Sequence, residues 1–318
     1  MRPIRSMLLS LAAVLLLAGC GDSEPSEADR GRADEPQFTI GFSQAGLDDP
    51  WREQMNEDIL AAAAEYPQVR LIVQDAENDA ARQQSQVRQF VNQRVNLIIV
   101  SPADAMALTQ PVEQAMERRI PVIVLDRAIV GRNYTCFISA DNRKIGRTVG
   151  QWLVAKLGER GNVIEIEGPD GNLTTIQRHE GFREAIVDAN FDLLAAVHTD
   201  WKQEQAREQM ASILSRFDNI NAVFAHNDTT AYGAYLAAEE ADRQDDMLFV
   251  GIDAVPERGI ALVKQGVLDA TFEYPTGGRE AIDTAIKILA GQEVPKNITL
   301  GTRLFTPGNV DQGGERIP

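Results

Sequence analysis

An aspartate and an arginine, Asp126 and Arg127, close the apolar run Ile120-Pro121-Val122-Ile123-Val124-Leu125. Side by side they offer carboxylate acceptors and a rigid fork of donors, suited either to gripping something small and polar or to pairing with each other at a strand end. The run before them is short, mostly β-branched and begun by proline, which predicts a strand buried on both faces. In open α/β sheets ligands collect outside the carboxyl ends of the strands, so position matters here as much as residue type. Other predicted strands end in the same way. Phe38 to Phe42 runs into Ser43-Gln44, Leu97 to Val100 into Ser101-Pro102, Ala222 to Ala225 into His226-Asn227-Asp228, Met247 to Ile252 into Asp253, and Ala270 to Phe272 into Glu273.

Amphipathic helices alternate with these strands. Asp49-Pro50 reads as an N-cap followed by proline in the first turn, and Trp51, Met55, Ile59, Ala62 and Tyr66 then recur at helical spacing. Further stripes run through Val87, Phe90 and Val91, through Leu108, Val112 and Ala115, and, after Ser139-Ala140-Asp141-Asn142, through Ile145, Val149 and Leu153. Phe182 and Ile186, Ala206 to Phe217, and Ala281 to Leu289 continue the series. The alternation predicts βαβ units and parallel sheets covered on both faces, as two units of similar size within the 318 residues.

The formal charge of −16 argues against nucleic acid and anionic lipid surfaces as partners, because affinity for phosphate comes from Lys and Arg. Arg2 and Arg5 precede an apolar run from Met7 to Leu17 that suits a secretory signal and is too short to span a bilayer. Leu17-Ala18-Gly19-Cys20 follows, and it looks like a lipobox; residues 1–19 are then expected to be removed and Cys20 to carry the lipid. Residues 20–37, rich in Ser, Glu, Asp, Gly and Pro, read as a flexible tether. Cys136, the other cysteine, is expected to be a buried small hydrophobe without chemistry.

Signatures of catalysis and of cofactors are missing. There is no P-loop, dinucleotide fingerprint, metalloprotease histidine pair or calcium loop, and Gly41-Phe42-Ser43-Gln44-Ala45-Gly46 misses nucleophile-elbow spacing by one residue. His179, His198 and His226 are scattered, and each is expected to be a surface or packed residue; no metal and no cofactor are expected. Binding explains the polar strand ends better. Carboxylates, guanidinium groups and amides can each hold neighbouring sugar hydroxyls, while aromatic faces cover C–H patches. Trp51 and Trp201 are the aromatic candidates, and core packing suits either one equally well.

Gly41-Phe42-Ser43-Gln44 with Pro50-Trp51-Arg52, Val124-Leu125-Asp126-Arg127, Ala225-His226-Asn227-Asp228 and Gly251-Ile252-Asp253-Ala254-Val255-Pro256 together resemble the periplasmic sugar-binding proteins of ABC importers, of the ribose and galactofuranose type. The likeness spans about Phe38 to Phe305 and leans to galactofuranose through Trp51-Arg52 and Glu273; Ser101-Pro102 departs from the ribose pattern. It implies two Rossmann-like lobes joined by three hinge crossovers, one from 38–140 plus 274–300 and the other from 141–273 plus 301–318. It implies a monosaccharide held between the lobes by Trp51, Arg52, Asp126, Arg127, Arg178, Trp201, Asn227, Asp253 and Glu273. The partners it implies are permease subunits in the inner membrane, with a chemoreceptor or sensor kinase as the alternative. The expected protein is a lipid-anchored monomer outside the cytoplasm, and not an enzyme.

Overall fold

The computed structural model describes residues 36–317 apart from Glu159 and Asp188. The expected signal, Cys20 and the tether as far as Glu35 lie outside the described residues. No helix among the described residues is long and apolar enough to cross a membrane.

Among the described residues thirteen strands form two mostly parallel sheets, as the alternating sequence pattern predicts. The first runs in the order β11-β5-β4-β3-β1-β2, from β1 (Phe38–Gln44), β2 (Val69–Asp75), β3 (Leu97–Val100), β4 (Val122–Leu125), β5 (Cys136–Ala140) and β11 (Asn297–Leu300). The second runs β13-β12-β10-β9-β8-β6-β7, from β6 (Gly161–Glu167), β7 (Phe191–His198), β8 (Ala222–Ala225), β9 (Leu248–Asp253), β10 (Ala270–Glu273), β12 (Arg303–Phe305) and β13 (Glu315–Arg316). Only β12 pairs antiparallel, with β10 and β13. The central strands β3, β4 and β8 are buried at every residue, which is why they read as unbroken apolar runs. Strand β5 alternates around Cys136, Ile138 and Ala140 and escapes a reading that looks for longer runs.

Helices cover both faces. Six of them are capped by an Asp or Asn side chain accepting backbone N–H: α1 (Pro50–Ala64) by Asp49, α2 (Ala80–Gln93) by Asp79, α3 (Ala105–Glu117) by Asp104, α4 (Asn142–Leu157) by Asp141, α5 (Leu173–Ile186) by Asn172 and α7 (Asp228–Glu240) by Asn227. Between α5 and α7 lies α6 (Gln203–Leu214); later come a π-helical turn, Pro256–Ile260, continuing into α8 (Ala261–Lys264), and α9 (Gly278–Leu289). The chain passes between the sheets three times, from β5 to α4, from β10 to α9 and from β11 to β12. Cys136 is fully buried and burial pushes its thiol up to about 11, so it packs as a small hydrophobe.

In both sheets the strand order reverses once in the parallel part, between β1 and β3 and between β6 and β8. At such a reversal the adjoining helices leave to opposite faces and open a crevice at the strand ends. The helix that brings Arg178 to the second crevice is fixed by close packing. A Cβ on Gly146 of α4 would lie 2.1 Å from the Arg178 carbonyl oxygen, and one on Gly181 of α5 1.9 Å from that of Arg143. Only hydrogen at these positions lets the two helices approach so nearly. Gly146→Ala is therefore expected to cost about 1–3 kcal/mol and to displace Arg178; an unchanged midpoint in urea unfolding would refute the close-packing account.

Candidate functional site

Arg52, in the first turn of α1, is buried at the reversal of the first sheet. Its Nη1 donates to Gln44 Oε1 at the end of β1 and to Ser101 Oγ after β3, both at 3.1 Å, and its Nη2 donates to Asp126 Oδ2 at 3.2 Å. Asp126 leaves β4 with φ of +69°, a left-handed turn that aims its carboxylate sideways across the strand ends. Its other oxygen accepts from the hydroxyl of Tyr274 at 2.8 Å. The Tyr274 carbonyl in turn accepts from Trp51 Nε1, and the two rings lie 5.0 Å apart between centroids.

Tyr274 sits on the second passage between the sheets, and from it the network enters the other lobe. Asn142 Nδ2 donates to the tyrosine oxygen at 3.4 Å, and Asn142 Oδ1 accepts from Arg178 Nε at 3.0 Å. Arg178 Nη1 donates to the carbonyl of His226 at the end of β8. Its guanidinium carbon stands 4.6 Å from the Tyr274 ring centroid and 5.9 Å from that of Trp201. Trp201, with φ of +62°, reaches this place because Gly168 has no side chain; a Cβ there would lie 2.1 Å from the indole.

Of these groups Trp51, Arg52, Asp126, Arg178, Trp201 and Tyr274 line a cavity of about 400 Å³ between the two sets of strand ends. Asn227 caps α7 through Oδ1, which accepts from Thr230 N at 2.9 Å, so its NH₂ is the end available to the cavity. Asp253 faces it from the end of β9; burial first, then the charges of Asp49 and Asp228, hold its carboxyl well above the usual range. Asp228 itself is turned inward, accepting from Ala254 N at 2.8 Å and Thr271 Oγ1 at 2.6 Å, and supports the loop that carries Asp253. Burial and the neighbouring Arg52 charge bring Arg127 down to about 10, so it remains a cation at neutral pH. Fixed donors and acceptors thus alternate around three aromatic faces. Such a surface can bind a small neutral molecule that carries hydroxyls and C–H patches.

The structure brings together eight of the nine residues expected to bind: Trp51, Arg52, Asp126, Arg127, Arg178, Trp201, Asn227 and Asp253 all line this cavity. Glu273 does not. Glu273, the last residue of β10, is turned away, its Oε2 3.9 Å from Arg303 Nε, while Tyr274, the first residue past the strand, enters the cavity. Tyr274 is the residue that sequence reasoning missed, although its place beside a strand-end glutamate was a usable signal. Asp49 read only as a helix cap, and it lines the cavity together with Asn172, the cap of α5, which the sequence did not single out. The histidines are not scattered in space, since all three converge on Glu165 and Glu167 of β6.

The lobes also touch at the rim, where Lys202, one residue before α6, pairs with Asp48 at 2.5 Å and Asn78 Nδ2 holds the other Asp48 oxygen at 2.7 Å. The hydrogen bond from Lys202 is the main cause that lowers the Asp48 pKa from its ordinary value.

A family model described as "Periplasmic binding protein domain" matches residues 40–293. The ribose import binding protein RbsB of Bacillus subtilis (strain 168) is 30% identical over 309 residues, covering 96% of this chain and 99% of its own. The galactofuranose-binding protein YtfQ of Escherichia coli (strain K12) is 32% identical over 291 residues, covering 88% and 91%. Among solved structures, the fructose-binding periplasmic domain of the hybrid two-component system BT1754 is similar at 39% identity with a TM-score of 0.82, covering 87% of this chain and 93% of that one.

A rim ion pair that is half exposed on both sides contributes little. Lys202→Ala is expected to weaken ligand binding by no more than about fivefold, in line with the roughly 0.2–1 kcal/mol of exposed pairs, and the difference should vanish at high salt. Because the Asp48 pKa is depressed in the paired state, the contribution is present above the ordinary aspartate value of 3.8 and lost as pH falls below it. Calorimetric titration across salt and pH checks both; an affinity loss that ignores salt would remove the ion pair as its cause.

Proposed function

The chain belongs to the periplasmic binding protein family, and we propose that within it the protein captures a monosaccharide for a bacterial ABC importer. The observation that carries this reading is the unbroken network from Arg52 through Asp126, Tyr274 and Asn142 to Arg178, of which Arg52, Asp126, Tyr274 and Arg178 face the cavity with fixed donors and acceptors from both lobes. A sugar between the lobes satisfies both sets at once, so binding favours the form in which they are together, and that form is what a permease can recognise. The cavity of about 400 Å³ falls in the range of small-molecule sites, and its three aromatic faces suit the C–H patches of a sugar ring.

Furanose forms and aldoses are the favoured class, supported by the likeness to the galactofuranose-binding and ribose-binding relatives. The lipobox-like Leu17-Ala18-Gly19-Cys20 supports a lipid anchor on Cys20 in a protein that works as a monomer outside the cytoplasm. The protein binds its sugar without converting it. A second reading, a sugar sensor that presents its ligand-bound form to a signalling partner, is favoured by the similarity to the periplasmic domain of a two-component system.

In a thermal-shift screen of the purified protein against aldohexoses, pentoses, ketohexoses and inositols, a ligand at a hundred times its Kd is expected to stabilise the native state by about 2.7 kcal/mol. Asp126→Asn is expected to weaken that ligand about ten- to a hundredfold, the range for a lost hydrogen bond to a charged group. Silence across the whole panel would overturn the sugar reading, and unaltered affinity in the Asp126 variant would overturn the site.

A further inference from the structure

Beneath the floor of the second lobe, away from the sugar cavity, the three histidines of the chain gather around two glutamates of β6. Glu165 is fully buried and Glu167 nearly so, while His179 on α5 and His198 at the end of β7 reach the surface. His179 Nδ1 lies 2.9 Å from Glu165 Oε2 and also 2.9 Å from Glu167 Oε1. One imidazole nitrogen carries at most one proton and cannot satisfy both carboxylates. The three atoms all lie within 4.8 Å of one another, close enough to share one cation.

The remaining oxygens are held from behind. Glu165 Oε1 meets His226 Nε2 at 2.9 Å, and Glu167 Oε2 meets His198 Nδ1 at 3.1 Å. Glu165 thus has one oxygen facing His179 and the other fixed by an imidazole, while Glu167 Oε2 lies beside His198 Nδ1, which also stands 3.1 Å from the Gly168 carbonyl; outer groups placed in this way orient metal ligands. We propose that Glu165, Glu167 and His179 form a site for a divalent first-row transition metal, zinc being the best match. Zinc bonds of about 2.0–2.2 Å to nitrogen and oxygen place tetrahedral ligands roughly 3.3 Å from one another, so the two 2.9 Å separations need to open by only a few tenths of an ångström. Three protein ligands leave a fourth position on the His179 side, toward solvent. Calcium is excluded by its demand for about six to eight oxygen ligands, and copper(I) by the lack of sulfur in the cluster.

The site is independent of the sugar reading and can be tested without any sugar. Isothermal titration of the purified, chelator-stripped protein with zinc chloride is expected to show one ion per chain, with magnesium and calcium giving no heat. His179→Gln, a part-exposed position, is expected to abolish that event while leaving the melting temperature in chelator unchanged. His198→Gln, which removes the contacts to Glu167 and to the Gly168 carbonyl while leaving the three ligands in place, is expected to weaken zinc about tenfold. Should His179→Gln lower the melting temperature in chelator, Glu167→Gln serves as the second ligand variant. No zinc binding by the parent protein, or binding that survives in both ligand variants, would overturn the proposal and leave a proton as the cation that the two carboxylates share.

Discussion

A buried guanidinium cannot be left with idle donors, because the cost of an unpaired charge in the interior is several times the value of any one hydrogen bond. Arg52 meets that constraint by taking acceptors from three different strand ends, Gln44, Ser101 and Asp126. Its presence therefore fixes the relative positions of β1, β3 and β4 where the strand order reverses. Asp126 must then satisfy its second oxygen, which it does with Tyr274, and the tyrosine binds the first lobe to the chain segment that crosses to the second. Every later contact in the cavity depends on where that tyrosine stands.

The second lobe answers with a mirror of the same device. Arg178 is buried at the reversal between β6 and β8, holds Asn142 and the His226 carbonyl, and lies between two aromatic rings. Two arginines at two reversals, linked through one tyrosine and one asparagine, hold the polar groups of the cavity in fixed positions. Preorganisation of this kind lets a small hydroxylated molecule bind without the cost of ordering the site. The rim pair between Lys202 and Asp48 is of another sort, exposed and weak, which suits a contact that must open and close.

Helix caps serve twice in this architecture. Asp49, Asn172 and Asn227 each satisfy the first turn of a helix and also face the cavity, because helices that follow parallel strands begin at the edge where ligands bind. A cap reading and a binding reading of such a residue are therefore not rivals. Asn227 divides the work by atom, its oxygen toward the helix and its amide toward the cavity.

Much of this was legible in the sequence, for a physical reason. Strands buried on both faces must be apolar throughout, so their polar ends stand out, and Asp126-Arg127, Asn227 and Asp253 could be read as a set before any fold was known. The alternation of those strands with amphipathic stripes determined the two mostly parallel sheets. Tertiary structure alone decided what depends on direction or on distance along the chain. It turned Glu273 away and Tyr274 inward, where the chain leaves β10. It made Arg178 a buried, stacked group, because Gly146 and Gly181 let two helices meet. It also brought His179, His198 and His226, dispersed over 48 positions of sequence, onto one pair of glutamates, since β6 lies between β7 and β8 in the sheet.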